Sequence, residues 1–254
     1  MTGGSAGAAE AQPKLFIFPH AGGSAQYYAP FAKTFSTDIK RVAVQYPGQR
    51  GKQDFASFTS LPALADEVCK MVSPDKEGGV HGPPIAFFGH SMGGLLAFEV
   101  ARRFEEAGRP ITALFVSACA APGRVGYEDI PETDDGLLAA VSTMTGASPE
   151  FMANPEFAAA ILPTLRGLKA IANYNCPPEV TLSCPIHAFY GDDDEIATAA
   201  KVAPWSERTT AGFTAREFPG HHFYLNNHML EVVADIERTM SSFCRSGRTV
   251  TRNA

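Results

Sequence analysis

Residues 87–94 read FFGHSMGG, a serine among glycines at the end of an apolar run. The apolar run 85–88 has the character of a buried strand, and it stops at a glycine. Residues 95–104 (LLAFEVARRF) then space their apolar side chains as a helix does. The five residues from Gly89 match the pattern G-x-S-x-G between a strand and a helix, the context that gives this motif its meaning. We therefore interpret Ser91 as a nucleophile that a sharp turn exposes at the carboxyl end of a strand.

The glycines on either side of the serine have a steric reason. A turn this sharp brings together the residues two before and two after the serine, and only glycine lacks the Cβ atom that would clash. Gly89 and Gly93 occupy these positions. The following helix also points its first N–H groups at the serine, where negative charge would develop. A chance glycine-rich turn is the alternative, and a phosphate-binding loop is excluded because no Lys-Ser/Thr pair follows the glycines.

Short strand-like runs alternate with helical patterns along the rest of the chain. Apolar runs predict the strands, and a 3.6-residue spacing of apolar residues predicts the helices. The predicted strands are 15–18, 42–44, 85–88, 113–116, 186–190 and 213–218, and the predicted helices are 64–72, 95–104 and 230–243. Strands separated by helices of this length indicate an α/β fold, a mainly parallel sheet with helices on both faces.

One interval interrupts this alternation. No convincing strand appears between 122 and 184, and helices are predicted at 135–144 and 155–171. An insertion of this length is either ornamental or a lid over a pocket, and we favour the lid because such long excursions usually serve function. The predicted organisation is a disordered N-terminal lead-in (1–12), a core (13–121 and 185–244), a helical lid insertion (122–184) and a flexible C-terminal tail (245–254).

Composition excludes several classes of protein. The 254-residue chain is 45% hydrophobic and has a net charge of -6, so it offers no basic surface to nucleic acid. No apolar stretch is long enough to span a bilayer, and the N-terminus lacks the basic start and apolar centre of a signal peptide. We therefore expect a cytoplasmic protein with no nucleic-acid partner and no membrane span. The five cysteines form no CxxC pair, which favours reduced thiols.

A serine nucleophile needs a base, and after this motif the chain order is serine, acid, histidine. His221 and His222 follow the last predicted strand and a Pro-Gly pair, where a loop could carry an imidazole to the serine. His187 lies inside a predicted strand, which favours a packing role. A metal site completed by His228 is disfavoured, because no HExxH pattern or cysteine partner accompanies these histidines.

The acid and the oxyanion donors also have candidate segments. The loop after strand 186–190 carries Asp192, Asp193 and Asp194, and physical reasoning alone does not choose among them. The glycine-containing loop after the first strand lets the backbone N–H of Ala21 face the site, and the N–H of Met92 would be the second donor. Such a site requires no metal and no cofactor.

Five segments are together far more specific than the serine motif alone. They are FPHAGGSAQYY, VQYPGQR, GHSMGG, GDDDEI and FPGHHFYL, in this order along the chain. With them the chain resembles type II thioesterases, stand-alone α/β-hydrolases that accompany polyketide synthases and nonribosomal peptide synthetases, and the match is closest to actinobacterial members. The resemblance implies an α/β-hydrolase fold with a helical lid, Asp194 as the acid and His222 as the base. His221 is a departure, because family members often carry an acid there.

The resemblance also implies an activity and a partner. The expected enzyme is a serine thioesterase that hydrolyses acyl groups from the phosphopantetheine thiol of an acyl or peptidyl carrier protein, and so edits stalled or misprimed assembly lines. A carboxylesterase or lipase acting on small oxygen esters would use the same three residues and is the main alternative. A non-catalytic scaffold of the same fold is disfavoured, because serine, acid, histidine and both glycine loops are all present.

Overall fold

The computed structural model describes residues 12–47, 60–72, 82–124, 133–145, 147–167 and 174–250. Its centre is one six-stranded sheet in which every neighbouring pair is parallel. The strands are β1 (Lys14–Phe18), β2 (Lys40–Ala43), β3 (Ile85–His90), β4 (Ala113–Ser117), β5 (Ile186–Gly191) and β6 (Phe213–Phe218). All six strands were predicted, and β2 begins two residues earlier than its apolar residues indicate.

Helices connect these strands and cover the sheet. The α-helices are α1 (Ala29–Thr34), α2 (Leu61–Val72), α3 (Met92–Glu106), α4 (Asp134–Thr145), α5 (Pro149–Met152), α6 (Pro155–Gly167), α7 (Ala199–Val202) and α8 (Met229–Val250), and two short 3₁₀ helices span Ala203–Arg208 and Tyr224–Asn226. The sequence pattern missed α1, α5 and α7, because helices of one or two turns carry too little periodicity. The backbone of α8 stays helical to Val250, so this helix continues past residue 245, where the predicted C-terminal tail begins.

Side chains of the inner strands alternate between two apolar clusters, one on each face of the sheet. In β1, Phe16 and Phe18 pack on the face covered by α2 and α3, whereas Leu15 and Ile17 pack on the face covered by α1 and α8. Each of these four side chains is almost fully buried. This two-sided burial explains why the strand is apolar at every position.

The order of the strands determines where on the sheet a ligand site is expected. The order β2-β1-β3-β4-β5-β6 reverses direction between β1 and β3. In open parallel sheets, ligands bind outside the carboxyl ends of the strands at such a reversal. The loop that contains Ala21 leaves β1 at this point, and the turn that contains Ser91 leaves β3 beside it. The fold is therefore the doubly wound sheet of an α/β-hydrolase, with its motif residues at the expected edge.

The insertion between β4 and β5 forms a small helical unit. Helices α4, α5 and α6 share an apolar cluster of their own, which is separate from the two clusters on the sheet. Its buried members are Leu137, Leu138, Val141, Met152 and Leu165. These side chains therefore pack on one another and not on the sheet.

Arg208 ties both ends of this insertion to the core. Its side chain is buried, and its guanidinium donates to the carbonyl oxygens of Pro122 (3.3 Å) on one end and of Cys176 (3.4 Å) and Pro177 (2.7 Å) on the other. Buried arginine without a carboxylate requires several acceptors, and these carbonyls supply them. One side chain therefore holds the two connections of the insertion together.

Two further observations bear on the environment of the chain. None of the helices in the described ranges is long and apolar enough to cross a membrane. Within the same ranges the cysteines are free thiols, three of them buried, and the side chain of Cys244 lies outside the described part.

Candidate active site

Ser91 occupies the turn between β3 and α3 in a strained backbone conformation. Its φ is 55° and its ψ is -127°, a region that costs a non-glycine residue free energy. The backbone N–H of Ser91 donates to the carbonyl oxygen of Ser117 at the end of β4 (2.7 Å), which fixes the turn to the neighbouring strand. The strained turn predicted from the motif is present.

The two flanking glycines are required by close backbone contacts. A Cβ atom on Gly89 would lie 2.1 Å from the carbonyl oxygen of Gly93, as the crowding argument predicts. A Cβ atom on Gly93 would lie 2.1 Å from the carbonyl oxygen of Phe18 in β1. Neither neighbour is a flexible side chain that could move away, so the turn tolerates no larger residue.

We expect Gly93→Ala to lower the free energy of unfolding by about 4 kcal/mol or more, because backbone atoms of β1 would have to shift. Gly212→Ala is the matched control, since its added Cβ would meet no atom within 4 Å. The control should change stability by less than about 1 kcal/mol. Denaturant unfolding of both variants measures the difference, and similar losses in the two would contradict the steric account.

His222 joins the serine to the acid. Its Nε2 lies 2.9 Å from Ser91 Oγ, and its Nδ1 lies 2.8 Å from Asp194 Oδ2. Both His222 and Asp194 are 4% exposed. A carboxylate can only accept, so Nδ1 carries the proton and Nε2 presents a lone pair to the serine hydroxyl. This is the arrangement in which an imidazole can remove a proton from serine.

Asp194 is held as a charged acceptor. Its Oδ1 accepts the backbone N–H groups of Ile196 (2.9 Å) and Ala197 (3.0 Å), and its Oδ2 accepts from His222. Burial by itself raises the pKa of this carboxyl group, but the hydrogen bonds from His222 and from the two N–H groups outweigh it and lower the pKa below its ordinary value. The carboxylate is therefore ionised where it meets the imidazole.

The other two aspartates of the run do not reach His222. Asp192 Oδ1 accepts the backbone N–H of Gly220 (2.8 Å), and Asp193 pairs with the exposed His221 (3.0 Å). The geometry thus separates three carboxylates that spacing alone left equivalent, and it brings only Asp194 to the histidine.

The remaining candidate histidines lie apart from the serine. His187 stacks on Phe115 in the neighbouring strand, as its position inside a strand predicts. His228 pairs with Glu231 and does not join His221 or His222 in a ligand set. Within the described ranges, no group of three or more histidine, cysteine or acidic side chains is arranged to hold a metal ion.

Ala21 and Met92 are the two residues predicted to supply oxyanion donors. Ala21 lies in the loop that follows β1, and Met92 is the first residue of α3. Among the residues that the structure describes, neither backbone N–H has an acceptor. The first N–H groups of a helix have no partner within the helix, so that of Met92 is available to a ligand at Ser91.

Two further histidines flank His222, and the sequence pattern gave neither a role at the site. His20 Nδ1 lies 2.8 Å from the hydroxyl of Tyr28, and His90 Nδ1 lies 2.9 Å from the hydroxyl of Ser117. Burial, with a smaller contribution from His222, lowers the pKa of His20 to about 4 and that of His90 well below its ordinary value. Both imidazoles are therefore neutral near pH 7. Only their position in the sequence could have pointed to these two histidines, because each lies inside one of the five segments that carry the resemblance.

The lowered pKa of His20 predicts a loss of stability in acid. The unfolded chain takes up a proton near pH 6.5 and the folded chain only near pH 4, so the free energy of unfolding falls as pH decreases through this window. Across this whole window, the lowered pKa of His20 reduces the free energy of unfolding by about 3 kcal/mol. We expect His20→Gln to flatten this part of the pH–stability curve, whereas Tyr28→Phe, which removes the hydrogen bond but keeps the imidazole, should leave it steep. Equal slopes in His20→Gln and the wild type would contradict the prediction.

Comparisons with known proteins cover most of this chain. The family model for the thioesterase domain matches residues 13–240. Thioesterase TesA of Mycobacterium leprae is 53% identical over 236 residues, which cover 91% of this chain and 88% of that relative.

Two solved structures show the same fold. The type II thioesterase BorB from the borrelidin biosynthetic cluster has a TM-score of 0.76 and 37% identity, covering 91% of this chain and 95% of that one. ClbQ from the colibactin NRPS/PKS pathway has a TM-score of 0.78 and 25% identity, covering 91% and 98%. These matches confirm the resemblance carried by the five motif segments, and the chain belongs to the thioesterase family.

Proposed function

We propose that this chain is a serine thioesterase that hydrolyses acyl groups from the phosphopantetheine arm of carrier proteins. The observation that carries the proposal is the continuous contact from Asp194 through His222 to Ser91, with distances of 2.8 and 2.9 Å, in a chain of the thioesterase family. Its biological role would be to clear stalled or wrongly primed acyl groups from a synthase.

The first half-reaction transfers the acyl group to the enzyme. His222 Nε2 takes the proton of Ser91 as Oγ bonds to the thioester carbon, and the carbonyl electron pair moves onto oxygen. The N–H groups of Ala21 and Met92 stabilise this oxyanion, and Asp194 stabilises the imidazolium. When the intermediate collapses, the carbon–sulfur bond breaks and His222 returns the proton to the leaving thiolate.

The second half-reaction releases the acid. His222 Nε2 takes a proton from a water molecule, whose oxygen attacks the acyl-enzyme carbonyl. The same two N–H groups stabilise the second oxyanion. The carbon–Oγ bond then breaks and the proton passes to Ser91, so that the free enzyme is restored with no metal or other cofactor consumed.

The insertion 122–184 would act as the lid of this site. It begins after β4, whose last residue Ser117 contacts the turn of Ser91, so it is joined to the fold at the carboxyl edge of the sheet. Its separate apolar cluster and the Arg208 clamp at its two ends suit a unit that moves as one body. The acyl chain would then be enclosed between this unit and the sheet.

The carrier partner is supported by the pathways named for the relatives. BorB comes from the borrelidin biosynthetic cluster and ClbQ from the colibactin NRPS/PKS pathway. A carrier protein that presents its acyl group on a phosphopantetheine arm is the partner we propose for this chain. A cytoplasmic location, predicted from the sequence, belongs to the same proposal.

One substrate panel tests the proposal. The same acyl group is offered on a carrier protein, on coenzyme A, on a small thiol and as an ethyl oxygen ester, with Ser91→Ala as the background control. We expect kcat/KM to be highest for the carrier and lowest for the oxygen ester. Fastest turnover of the oxygen ester would support the carboxylesterase alternative. Failure of a fluorophosphonate probe to label the wild type would support the non-catalytic scaffold.

A further inference from the structure

A chain of buried hydrogen bonds lies directly behind the site and is not used in the mechanism above. The hydroxyl of Tyr224 lies 2.6 Å from Ser117 Oγ, which lies 2.9 Å from His90 Nδ1. The three residues are at most 1% exposed. Burying three polar side chains is costly unless each is satisfied, so their arrangement calls for an explanation.

Each member of this chain is connected to a residue of the site. His90 immediately precedes Ser91, and Tyr224 follows His222 by two positions. Ser117 lies at the end of β4 in register with His90, and its carbonyl oxygen accepts the N–H of Ser91 at 2.7 Å. The chain therefore links the turn that carries the nucleophile to the loop that carries the base.

The hydrogen bonds between Tyr224, Ser117 and His90 can form in either direction. Burial raises the pKa of Tyr224, so its phenol stays protonated, and either this hydroxyl or that of Ser117 can donate in the hydrogen bond between them. The neutral His90 accepts from Ser117 when its proton lies on Nε2, and donates to Ser117 Oγ when its proton lies on Nδ1. Within the described residues this buried Nε2 has no partner. The fold thus leaves one ring nitrogen of His90 unsatisfied while it keeps the hydrogen bond to Ser117, which a purely stabilising network would avoid.

Backbone strain is concentrated at the same place. Two non-glycine residues of the described chain have a positive φ, Ser91 at 55° and Ala118 at 47°. Ser91 follows His90, and Ala118 follows Ser117, so each strained residue adjoins a member of the hydrogen-bond chain. Strained residues persist only where the surrounding structure holds them, and they cluster at functional sites.

We propose that Tyr224, Ser117 and His90 are positioning residues that hold Ser91 Oγ and His222 Nε2 within hydrogen-bond distance. The inference rests on the proposed function of these two residues. The base loop follows β6, whereas the nucleophile follows β3, and the intervening β4 supplies Ser117 as the connection. This connection adds directional hydrogen bonds to the ring contacts that His90 makes with His222 and Phe223, and proton transfer requires close alignment of the two groups.

The test uses substitutions that remove one hydroxyl each. Tyr224→Phe keeps the ring that stacks on Phe218 (5.2 Å between centroids) and breaks only the link to Ser117. Ser117→Ala removes the hydrogen bonds of Ser117 Oγ to Tyr224 and to His90. The double variant, which combines Tyr224→Phe with Ser117→Ala, therefore loses no further hydrogen bond between these residues. Thr209→Val is the control, because the half-buried Thr209 hydroxyl donates to the carbonyl oxygen of Cys184 (2.6 Å) at the amino end of β5.

We expect kcat to fall about tenfold in Tyr224→Phe and further in Ser117→Ala, with KM changed less than twofold. The double variant should have the same kcat as Ser117→Ala, because both substitutions interrupt the same series of hydrogen bonds. Fluorophosphonate labelling of Ser91 should slow in proportion, and this readout stands even if carrier proteins prove not to be the substrate. The control should keep the wild-type kcat.

Three outcomes would overturn the inference. One is a fall in melting temperature with kcat and labelling rate unchanged, which would mean that these hydrogen bonds contribute to stability alone. Another is strictly additive losses in the double variant. The third is an equal loss of kcat in Thr209→Val. If Ser117→Ala does not fold, Tyr224→Phe against Thr209→Val decides the question.

Discussion

Ser91→Ala is expected to abolish turnover of acyl thioesters, with kcat lowered on the order of 10⁴-fold or more. The reason is that no other hydroxyl replaces Ser91 Oγ, which lies 2.9 Å from His222 Nε2. Ser117 cannot substitute, because it is 0% exposed and its hydroxyl lies between Tyr224 and His90. Steady-state kinetics and fluorophosphonate labelling measure the effect.

The melting temperature of Ser91→Ala is the control that separates a loss of catalysis from a loss of folding. Alanine at position 91 keeps the backbone N–H that bonds to Ser117, so the melting temperature should remain close to that of the wild type. Residual turnover within tenfold of the wild type would mean that Ser91 is not the nucleophile.

Asp194→Asn is expected to lower kcat by about 10³- to 10⁴-fold. An asparagine amide can donate to Nδ1 of His222, which would place the imidazole proton on Nε2 and remove the lone pair that faces Ser91. The variant should therefore fold and bind substrate while its chemistry fails. Kinetics with one acyl-carrier substrate measure the loss.

The neighbouring aspartates supply matched controls of the same chemistry. Asp192→Asn keeps an oxygen that can accept the N–H of Gly220, and Asp193→Asn changes only the exposed pair with His221. Each should lower kcat less than about tenfold. Equal losses at Asp192 and Asp194 would contradict the geometry that assigns the acid.

Much of the architecture could be predicted from the chain because its signals are local. The apolar runs of β1, β3 and β4 are buried on both faces, and G-x-S-x-G has a steric cause that the contacts of Gly89 and Gly93 reproduce. The choice of Asp194 needed the resemblance, since Asp192, Asp193 and Asp194 differ only in how one loop turns toward His222.

What the sequence did not reveal depends on long-range contacts between single side chains. The Ser117 hydroxyl is 27 residues from His90 and 107 from Tyr224, and no periodicity records such a link. The contacts of Arg208 with both ends of the insertion could not be predicted either. Its hydrogen-bond acceptors are backbone carbonyl oxygens, which every residue has, so no residue type marks them in the sequence.

The central claim is that an acyl group passes through Ser91 on its way from a carrier thiol to water. The most direct measurement is the partitioning of one acyl group between acid and methyl ester when methanol competes with water. The account predicts the same product ratio for carrier protein, coenzyme A and a small thiol, because all three form one acyl-enzyme before the second nucleophile attacks. A ratio that changes with the leaving thiol would contradict it.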